Sequence, residues 1–575
     1  MYILGLNAYH WDSSACILKD GELIAASEEE RFNRIKHWSG LPIQSIKFCL
    51  GEVGIDIREV DYIATGHDPR AKLAQKLIYG VTNTLSADVI KRRLKRSKDV
   101  TDVLSDIASQ LGIPKSELKA RFYGVEHHRS HLSSAFFASP FETAALLSLD
   151  AFGDFSSTMR GIGTKNKIKV LDSVSYPHSL GMFYTALTQF LGFTDVGDEY
   201  KVMGLAPYGT PQYVNDLRNI ITLRSNGLFT LNKKYFSYFK EGVVLEMRNN
   251  RPFVSILYSA AIEQIFGKPR KREDLLTEFH KDLAASVQKL TEEIIFHIAS
   301  DLKRKTNLPY LCIAGGVAQN SVANGKIAAA CGFEKLYIPS AGHDAGISMG
   351  SALYVYNHEL NRPRAKPLWS AYTGSKFSNE EIEKYLSSRN IIYQKLDDES
   401  IYDKVTDKLI NAGVVGWFNG RAEFGPRALG ARSIIVDPRR TDAKDLLNSK
   451  IKRRESFRPF APSILKEYVS EYFEVTDEVP FMEKVFPIRK EKHQIIPAVT
   501  HTDGTGRLQT VDKDVSPRYY SLIDKFRQKT GVPILLNTSF NENEPIVNSP
   551  EHALECFLRT SMDMLVLENC VVERQ

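Results

Sequence analysis

His127 and His131 stand four residues apart in the run Val125-Glu126-His127-His128-Arg129-Ser130-His131. On a helix that spacing sets two imidazoles on one face, one turn apart. Such a pair can fill two positions on one divalent ion if carboxylates come from elsewhere. His128 is turned about 100° away around the same helix and is not the natural second ligand. Taken alone, an HxxxH pair most often marks a solvated helix face, so its chemistry depends on what else the chain supplies. Asp150 directly follows the apolar stretch 144–149, which places a carboxylate at a strand end as a metal or phosphate neighbour. Asp344 lies in Gly342-His343-Asp344-Ala345-Gly346, where a strand turns into a helix and a third ligand is expected.

Four further groups could do chemistry. A turn near the N-terminus collects Asn7, His10, Asp12, Ser13 and Ser14 between two apolar strands. Gly315-Gly316-Val317-Ala318-Gln319-Asn320 joins a strand to a helix, and glycines there let backbone approach a nucleotide, although the spacing is neither GxGxxG nor a P-loop. Gly197-Asp198-Glu199-Tyr200-Lys201 alternates acid and base ahead of a small-residue stretch. Gly420-Arg421-Ala422-Glu423-Phe424-Gly425-Pro426-Arg427-Ala428-Leu429-Gly430-Ala431-Arg432 sets three arginines in a glycine-framed loop, a composition suited to bidentate binding of phosphates. Lys450, Arg458 and Arg507 add cations after it, and a strand over 532–536 opens into Asn537-Thr538-Ser539.

The elements that must position these residues follow from periodicity. Three short strands are expected over 2–6, 14–18 and 22–27, with Lys19-Asp20-Gly21 as a turn. The first of them has an echo: Leu4-Gly5-Leu6-Asn7-Ala8-Tyr9 matches Leu147-Ser148-Leu149-Asp150-Ala151-Phe152, and Ser13-Ser14 matches Ser156-Ser157 at the same offset. Two similar half-domains, each opening with a strand, a polar turn and a strand, would account for it. A long amphipathic helix is expected over 273–305, strands over 308–314 and 335–339, and a helix over 343–357. The proline- and charge-rich stretch 361–374 reads as a linker between a first domain, 1–360, and a second, 375–575.

Composition bounds the class. At 575 residues, 43% hydrophobic and 25% charged, the chain is an ordinary globular protein of at least two domains. Its net charge of +6 does not call for nucleic acid, and Lys91-Arg92-Arg93-Leu94-Lys95-Arg96-Ser97-Lys98 reads first as a solvated helix face. Cys16, Cys49, Cys312, Cys331, Cys556 and Cys570 form no CxxC, which suits a reducing compartment. With no signal-peptide pattern and no apolar run of membrane-spanning length, a cytoplasmic location is expected.

Taken together, LGLNAYHWDSSA, ERFNRIKHWSGLP, EHHRSHLSSAF, GDEYKVMGLAPYG, AGGVAQNSVANGKI, GHDAGISMGSA, GRAEFGPRALGARSI, KIKRRESFRPFAP, HTDGTGRLQTV and GVPILLNTSFNENEPIV resemble the O-carbamoyltransferase family, in order along nearly the whole chain. One departure is Trp11, where the resemblance leads one to expect Gly. The resemblance implies an α/β protein with an actin-like duplicated N-terminal domain and a YrdC-like C-terminal domain. It implies that the C-terminal domain makes carbamoyl adenylate from carbamoyl phosphate and ATP, with Mg2+, through Arg421, Arg427, Arg432, Lys450, Arg458, Arg507, Asn537 and Ser539. The N-terminal domain would then pass the carbamoyl group to a small-molecule hydroxyl. There His127, His131, Asp150 and Asp344 would hold a divalent ion, Fe2+ in the family, while Gly315, Gly316, Asn320 and Lys201 would meet the nucleotide. His10 is the expected general base, with its ordinary pKa near working pH, and Asp12 and Lys36 would contact the acceptor or intermediate. A second copy of the chain is a candidate partner; nucleic acid and membrane are not. Two other readings compete: a non-catalytic actin-like nucleotide-binding module, and threonylcarbamoyl transfer to tRNA.

Overall fold

The computed structural model describes residues 1–82, 102–248 and 251–574, so the basic run 91–98 lies outside the described residues. The chain folds as two compact units, Met1–Leu368 and Trp369–Gln575.

The first unit contains two five-stranded sheets of one topology. In the first sheet the strand order is Glu22–Glu28, Ser14–Lys19, Tyr2–Asn7, Tyr62–Thr65, Arg121–Gly124. In the second it is Lys167–Ser175, Ser156–Thr164, Thr143–Gly153, Tyr310–Ala314, Lys335–Tyr337. Each begins with a three-stranded antiparallel meander and continues with two strands parallel to the meander's first. The duplicated α/β arrangement is actin-like, and Tyr2–Asn7 and Thr143–Gly153, the strands that carry the sequence echo, occupy the same place in the two sheets.

Two short helices lock these sheets to the site. His127–Ala138 is almost wholly buried, and so is Gly346–Leu353. They cross at Gly350, where a Cβ would stand 2.0 Å from the Ser130 carbonyl oxygen. Gly5 makes a like approach, its missing Cβ leaving room for the carbonyl of Ser348. Close-packed backbones of this kind tolerate no added methyl without a shift. The amphipathic helix expected over 273–305 runs from Glu278 to Thr306, started by a capping box on Thr277 and ended by Asn307 in the left-handed region.

One strand differs from its expectation in a useful way. The strand expected to stop before Asp150 continues to Gly153, and its pairing with Ser156–Thr164 slips between Leu149 and Gly153. Asp150 therefore sits in a bulge, a device that re-aims a side chain off the pleat.

The second unit is one mixed α/β domain. Its nine-stranded sheet runs Gln394–Lys395, Cys570–Glu573, Met564–Leu567, Val415–Phe418, Arg432–Val436, Ile534–Ser539, Ala461–Leu465, Thr505–Val511, Lys484–Pro487. Trp417, Phe418, Leu522, Phe526 and Leu565 fill a core between it and its helices. All six cysteines are buried and none is in a disulfide. Among the described residues no helix is long and apolar enough to cross a membrane.

Candidate functional site

The polar turn after strand Tyr2–Asn7 is held in a strained shape. Tyr9 and Asp12 both have positive φ, 58° and 55°, an uncommon state for residues with a side chain. Asn7 Nδ2 donates to the carbonyls of Trp11 and Asp12, and Ser13 Oγ donates to those of His10 and Gly40. Ser14 Oγ donates to the Ala345 carbonyl at 2.6 Å, which ties the turn to the segment carrying Asp344. His10 thereby lands with Nδ1 2.7 Å from Asp344 Oδ2. Asp12 faces His37 Nδ1 at 2.7 Å, with His343 Nε2 at 3.9 Å. Burial works against charging His37, yet Asp12 outweighs it and lifts the imidazole to about 9.

The four residues proposed as metal ligands converge. His127 Nε2 is 3.0 Å from Asp150 Oδ2 and 3.7 Å from Asp344 Oδ1; His131 Nε2 is 3.4 Å and 3.3 Å from the same two oxygens. Both histidines are fully buried and both carboxylates nearly so. Burial raises the pKa of each carboxyl and the two repel one another, but the imidazoles pull Asp150 well below its ordinary range, and His10 above all does the same for Asp344. Burial disfavours protonated His131, yet Asp150 and Asp344 raise it to about 9. Neither His131 Nε2 nor Asp344 Oδ1 completes a hydrogen bond. Two buried imidazole nitrogens and two carboxylates within 4.8 Å of one another, with unbonded donor atoms among them, fit one divalent cation.

Surrounding residues aim this set. Gly316 N–H donates to Asp150 Oδ1 at 2.9 Å, and Gly315, at φ 104°, passes where a Cβ would strike the Leu149 carbonyl oxygen at 2.1 Å. The glycine pair thus braces a candidate ligand besides opening the backbone. His128 points away, with Nδ1 2.7 Å from Ser148 Oγ, and burial, together with His127 and His131, pushes its pKa down to about 3. Asn320 caps the helix Ser321–Cys331 and exchanges amide hydrogen bonds with Gln288. Lys201 is buried and ion-paired to Asp198 at 2.9 Å. Lys36 is exposed; its neighbour His37 is the residue that reaches Asp12.

In the second unit Glu423 organises the arginine loop. Its buried Oε1 accepts from the N–H groups of Leu429, Ala431 and Arg432. Asn537, beneath the loop, donates to the Ala428 carbonyl, Ser463 and Gln509. Two of the three loop arginines serve the fold: Arg421 donates to the carbonyls of Thr373 and Gly374, while Arg432 donates to those of Ser375, Asn419, Gly420 and Ala431 and lies 3.5 Å from the Phe418 ring centroid. The third, Arg427, belongs to a cluster with Arg454, Arg458 and Arg507. Burial first, then the fields of those three arginines, disfavour charge on Arg507. His501 is pushed down to about 4 by burial and by Arg507. Lys452 is buried, donates to both oxygens of Asn541 and to the carbonyl and hydroxyl of Ser539, and is held well below the usual lysine range by burial and then by Arg454. Lys450 falls in the turn Leu447–Ile451 and its side chain lies outside the described residues. Arg458 pairs with Glu455 at 3.6 Å, and a crowd of cations of this kind has the charge to suit a polyanion.

Comparison with known proteins gives these two sites a common setting. A family model described as the carbamoyltransferase N-terminus matches residues 2–353, and one described as the carbamoyltransferase C-terminus matches 406–574. The chain belongs to the carbamoyltransferase family. It is 37% identical to nodulation protein NolNO of Sinorhizobium fredii, over 99% of this chain and 80% of that protein. It is 39% identical to NolO of Bradyrhizobium diazoefficiens over 78% and 79% of the two chains, and 41% identical to protein sll1178 of Synechocystis over 100% and 97%. Among solved structures, HypF of T. kodakarensis aligns with 63% of the chain and 48% of its own at 11% identity and a TM-score of 0.30.

Within this carbamoyltransferase, sequence reasoning passed over His67, Asp154, Glu423, Lys452 and Arg454. His67 and Asp154 are single residues after strands, with no partner at a telling spacing; the strand before His67 pairs beside Tyr2–Asn7, and the strand before Asp154 holds the matching place in the second sheet. Gly153 offers a direct check on the metal set, since a Cβ there would stand 1.9 Å from Cγ of His127. Gly153→Ala is expected to destabilise the protein by about 1–3 kcal/mol through overpacking and to lower bound metal per chain. Thermal unfolding with metal analysis checks it; an unchanged melting point and metal content would contradict the close contact.

Proposed function

We propose that this carbamoyltransferase is ATP-dependent and carbamoylates a hydroxyl of a small-molecule acceptor. The observation that carries the reading is the pairing of two unlike sites on one chain, a carboxylate–histidine set in the first unit and the arginine–lysine cluster in the second.

The second unit, YrdC-like on this reading, binds carbamoyl phosphate and Mg-ATP at Arg427, Arg454, Arg458, Arg507, Lys452 and Ser539. One water is consumed, carbamoyl adenylate forms, and pyrophosphate and phosphate leave. Such chemistry asks mainly for positioning and charge neutralisation. In the first unit His127, His131, Asp150 and Asp344 would hold the divalent ion, Fe2+ on the family pattern, which would supply Lewis acidity toward the carbamoyl or phosphate oxygens. His10, oriented through Nδ1 by Asp344, takes the proton of the acceptor hydroxyl as that oxygen bonds to the carbamoyl carbon. The C–O bond to AMP breaks and AMP leaves. Asp12 and His37 flank the acceptor side of the turn, and Gly315, Gly316, Asn320 and Lys201 line the nucleotide side. A docking module without activity would have no use for half-buried, crowded arginines, and the basic run 91–98, on which a tRNA reading would draw, lies outside the described residues.

AMP release from ATP should depend strictly on added carbamoyl phosphate, and labelled carbamoyl phosphate should pass its carbamoyl group to a compound in a panel of hydroxylated acceptors. ATP turnover indifferent to carbamoyl phosphate would refute the reading.

A further inference from the structure

A second group of imidazoles lies against the proposed ligand set. His10, His67 and His127 are all buried, and their ring centroids are 4.9, 5.1 and 5.4 Å apart. One donor nitrogen from each lies within 4.8 Å of the others. Three imidazoles on a tetrahedral ion, with metal–nitrogen bonds of about 2.0–2.1 Å, place their ring centroids roughly 5 Å apart. From these spacings we propose that His10, His67 and His127 form a second metal seat, which shares His127 with the carboxylate-bearing set and favours a different class of ion.

The orienting groups are those a histidine seat needs. A metal-bound imidazole usually has a carboxylate or carbonyl on its other nitrogen, which fixes tautomer and direction. Two rings have one at hydrogen-bond distance, Asp344 Oδ2 2.7 Å from His10 Nδ1 and Asp150 Oδ2 3.0 Å from His127 Nε2, and Asp154 Oδ1 stands at ion-pair distance, 3.8 Å, from His67 Nδ1. Asp154 is itself immobilised, its Oδ2 accepting from the N–H of Asp68 at 2.9 Å and of His127 at 2.8 Å. Carbamoyl transfer as proposed above uses neither His67 nor Asp154, so their burial at this point needs another reason.

Ligand type separates the two seats. Two imidazoles with two carboxylates suit Fe2+ or Mn2+, whereas three imidazoles suit Zn2+, Co2+ or Cu2+. His127 would turn Nε2 to the carboxylate-bearing set and Nδ1 to the histidine seat, and a neutral imidazole has one free lone pair, so the seats compete. An ion in the histidine seat also occupies His10, so excess Zn2+ should inhibit carbamoyl transfer and spare adenylate formation.

Metal-free full-length protein titrated with Co2+ and Zn2+ tests this. His67→Gln removes a ligand from the histidine seat alone, and His131→Gln from the carboxylate-bearing set alone. His67→Gln is expected to weaken Zn2+ binding at least tenfold and to lose the intense visible bands of tetrahedral Co2+; His131→Gln is expected to retain both. Equal Zn2+ affinity and Co2+ spectra in His67→Gln and wild type would overturn the proposal, as would loss of all Zn2+ and Co2+ binding in His131→Gln. If either variant fails to fold, pulsed electron paramagnetic resonance of one equivalent of Cu2+ on the wild-type protein decides. Three coupled imidazoles support the seat, and two or fewer exclude it. These readouts need no carbamoyl substrate, so they stand apart from the test of the proposed activity.

Discussion

Arg427→Ala and Arg507→Ala are each expected to cut carbamoyl adenylate formation by between about 30-fold and about 4,000-fold. Truncating one member of a buried charge-assisted contact costs about 2–5 kcal/mol, and about 1.4 kcal/mol is tenfold in rate. Both side chains belong to the crowded cluster, and burial with neighbouring arginines already disfavours charge on Arg507. A bound polyanion relieves that crowding, so the loss should appear in substrate binding and turnover, with the fold kept. Arg432→Ala is the contrast. Its guanidinium donates to four backbone carbonyls, so its removal should lower the melting temperature before it touches catalysis. Pyrophosphate release at saturating ATP, beside thermal unfolding of each variant, separates the cases. Normal pyrophosphate release from Arg427→Ala and Arg507→Ala would remove the cluster from the chemistry.

His10→Asn is expected to slow carbamoyl transfer by roughly a hundredfold to ten-thousandfold, the usual contribution of a general base, and to leave pyrophosphate release unchanged. The side chain is 5% exposed and fixed by Asp344 at 2.7 Å, and the Asn amide can stand in for Nδ1 toward Asp344 while lacking the Nε2 edge of the ring. Carbamoylated product formed from labelled carbamoyl phosphate is the first readout. Divalent metal bound per chain is the second, since His10 lies outside the proposed carboxylate-bearing ligand set. Transfer at the wild-type rate would remove His10 and make Asp12, 2.7 Å from His37, the next candidate.

Much of this arrangement is written locally in the chain. The four-residue spacing of His127 and His131 needs only a helix to face them the same way, and the strand patterns around Asn7 and Ser14 need only a hairpin. The echo between 4–14 and 147–157 reports a duplicated sheet because each copy must bury a similar strand and expose a similar turn. The glycines at 315 and 316 announce a close backbone approach, although not that the approach is to Asp150.

What the chain could not show is which of several equivalent residues faces the site. Arg421, Arg427 and Arg432 share one loop and one chemistry. Glu423 folds that loop so that two guanidinium groups turn onto backbone carbonyls and one joins the cluster. Lys452, two positions after the lysine first expected, is the one seen to reach Ser539 and Asn541, because the helical turn before it sets the direction of each side chain. Asp150 faces His127 because a bulge breaks the pleat, and a bulge is a property of two paired strands. His67 meets His10 and His127 because Tyr62–Thr65 pairs beside Tyr2–Asn7, which sets the residues after both strands at one edge. Periodicity along the chain selects helices, strands and the residue types they carry; convergence of residues hundreds of positions apart is decided by strand pairing and by glycine-sized gaps between helices.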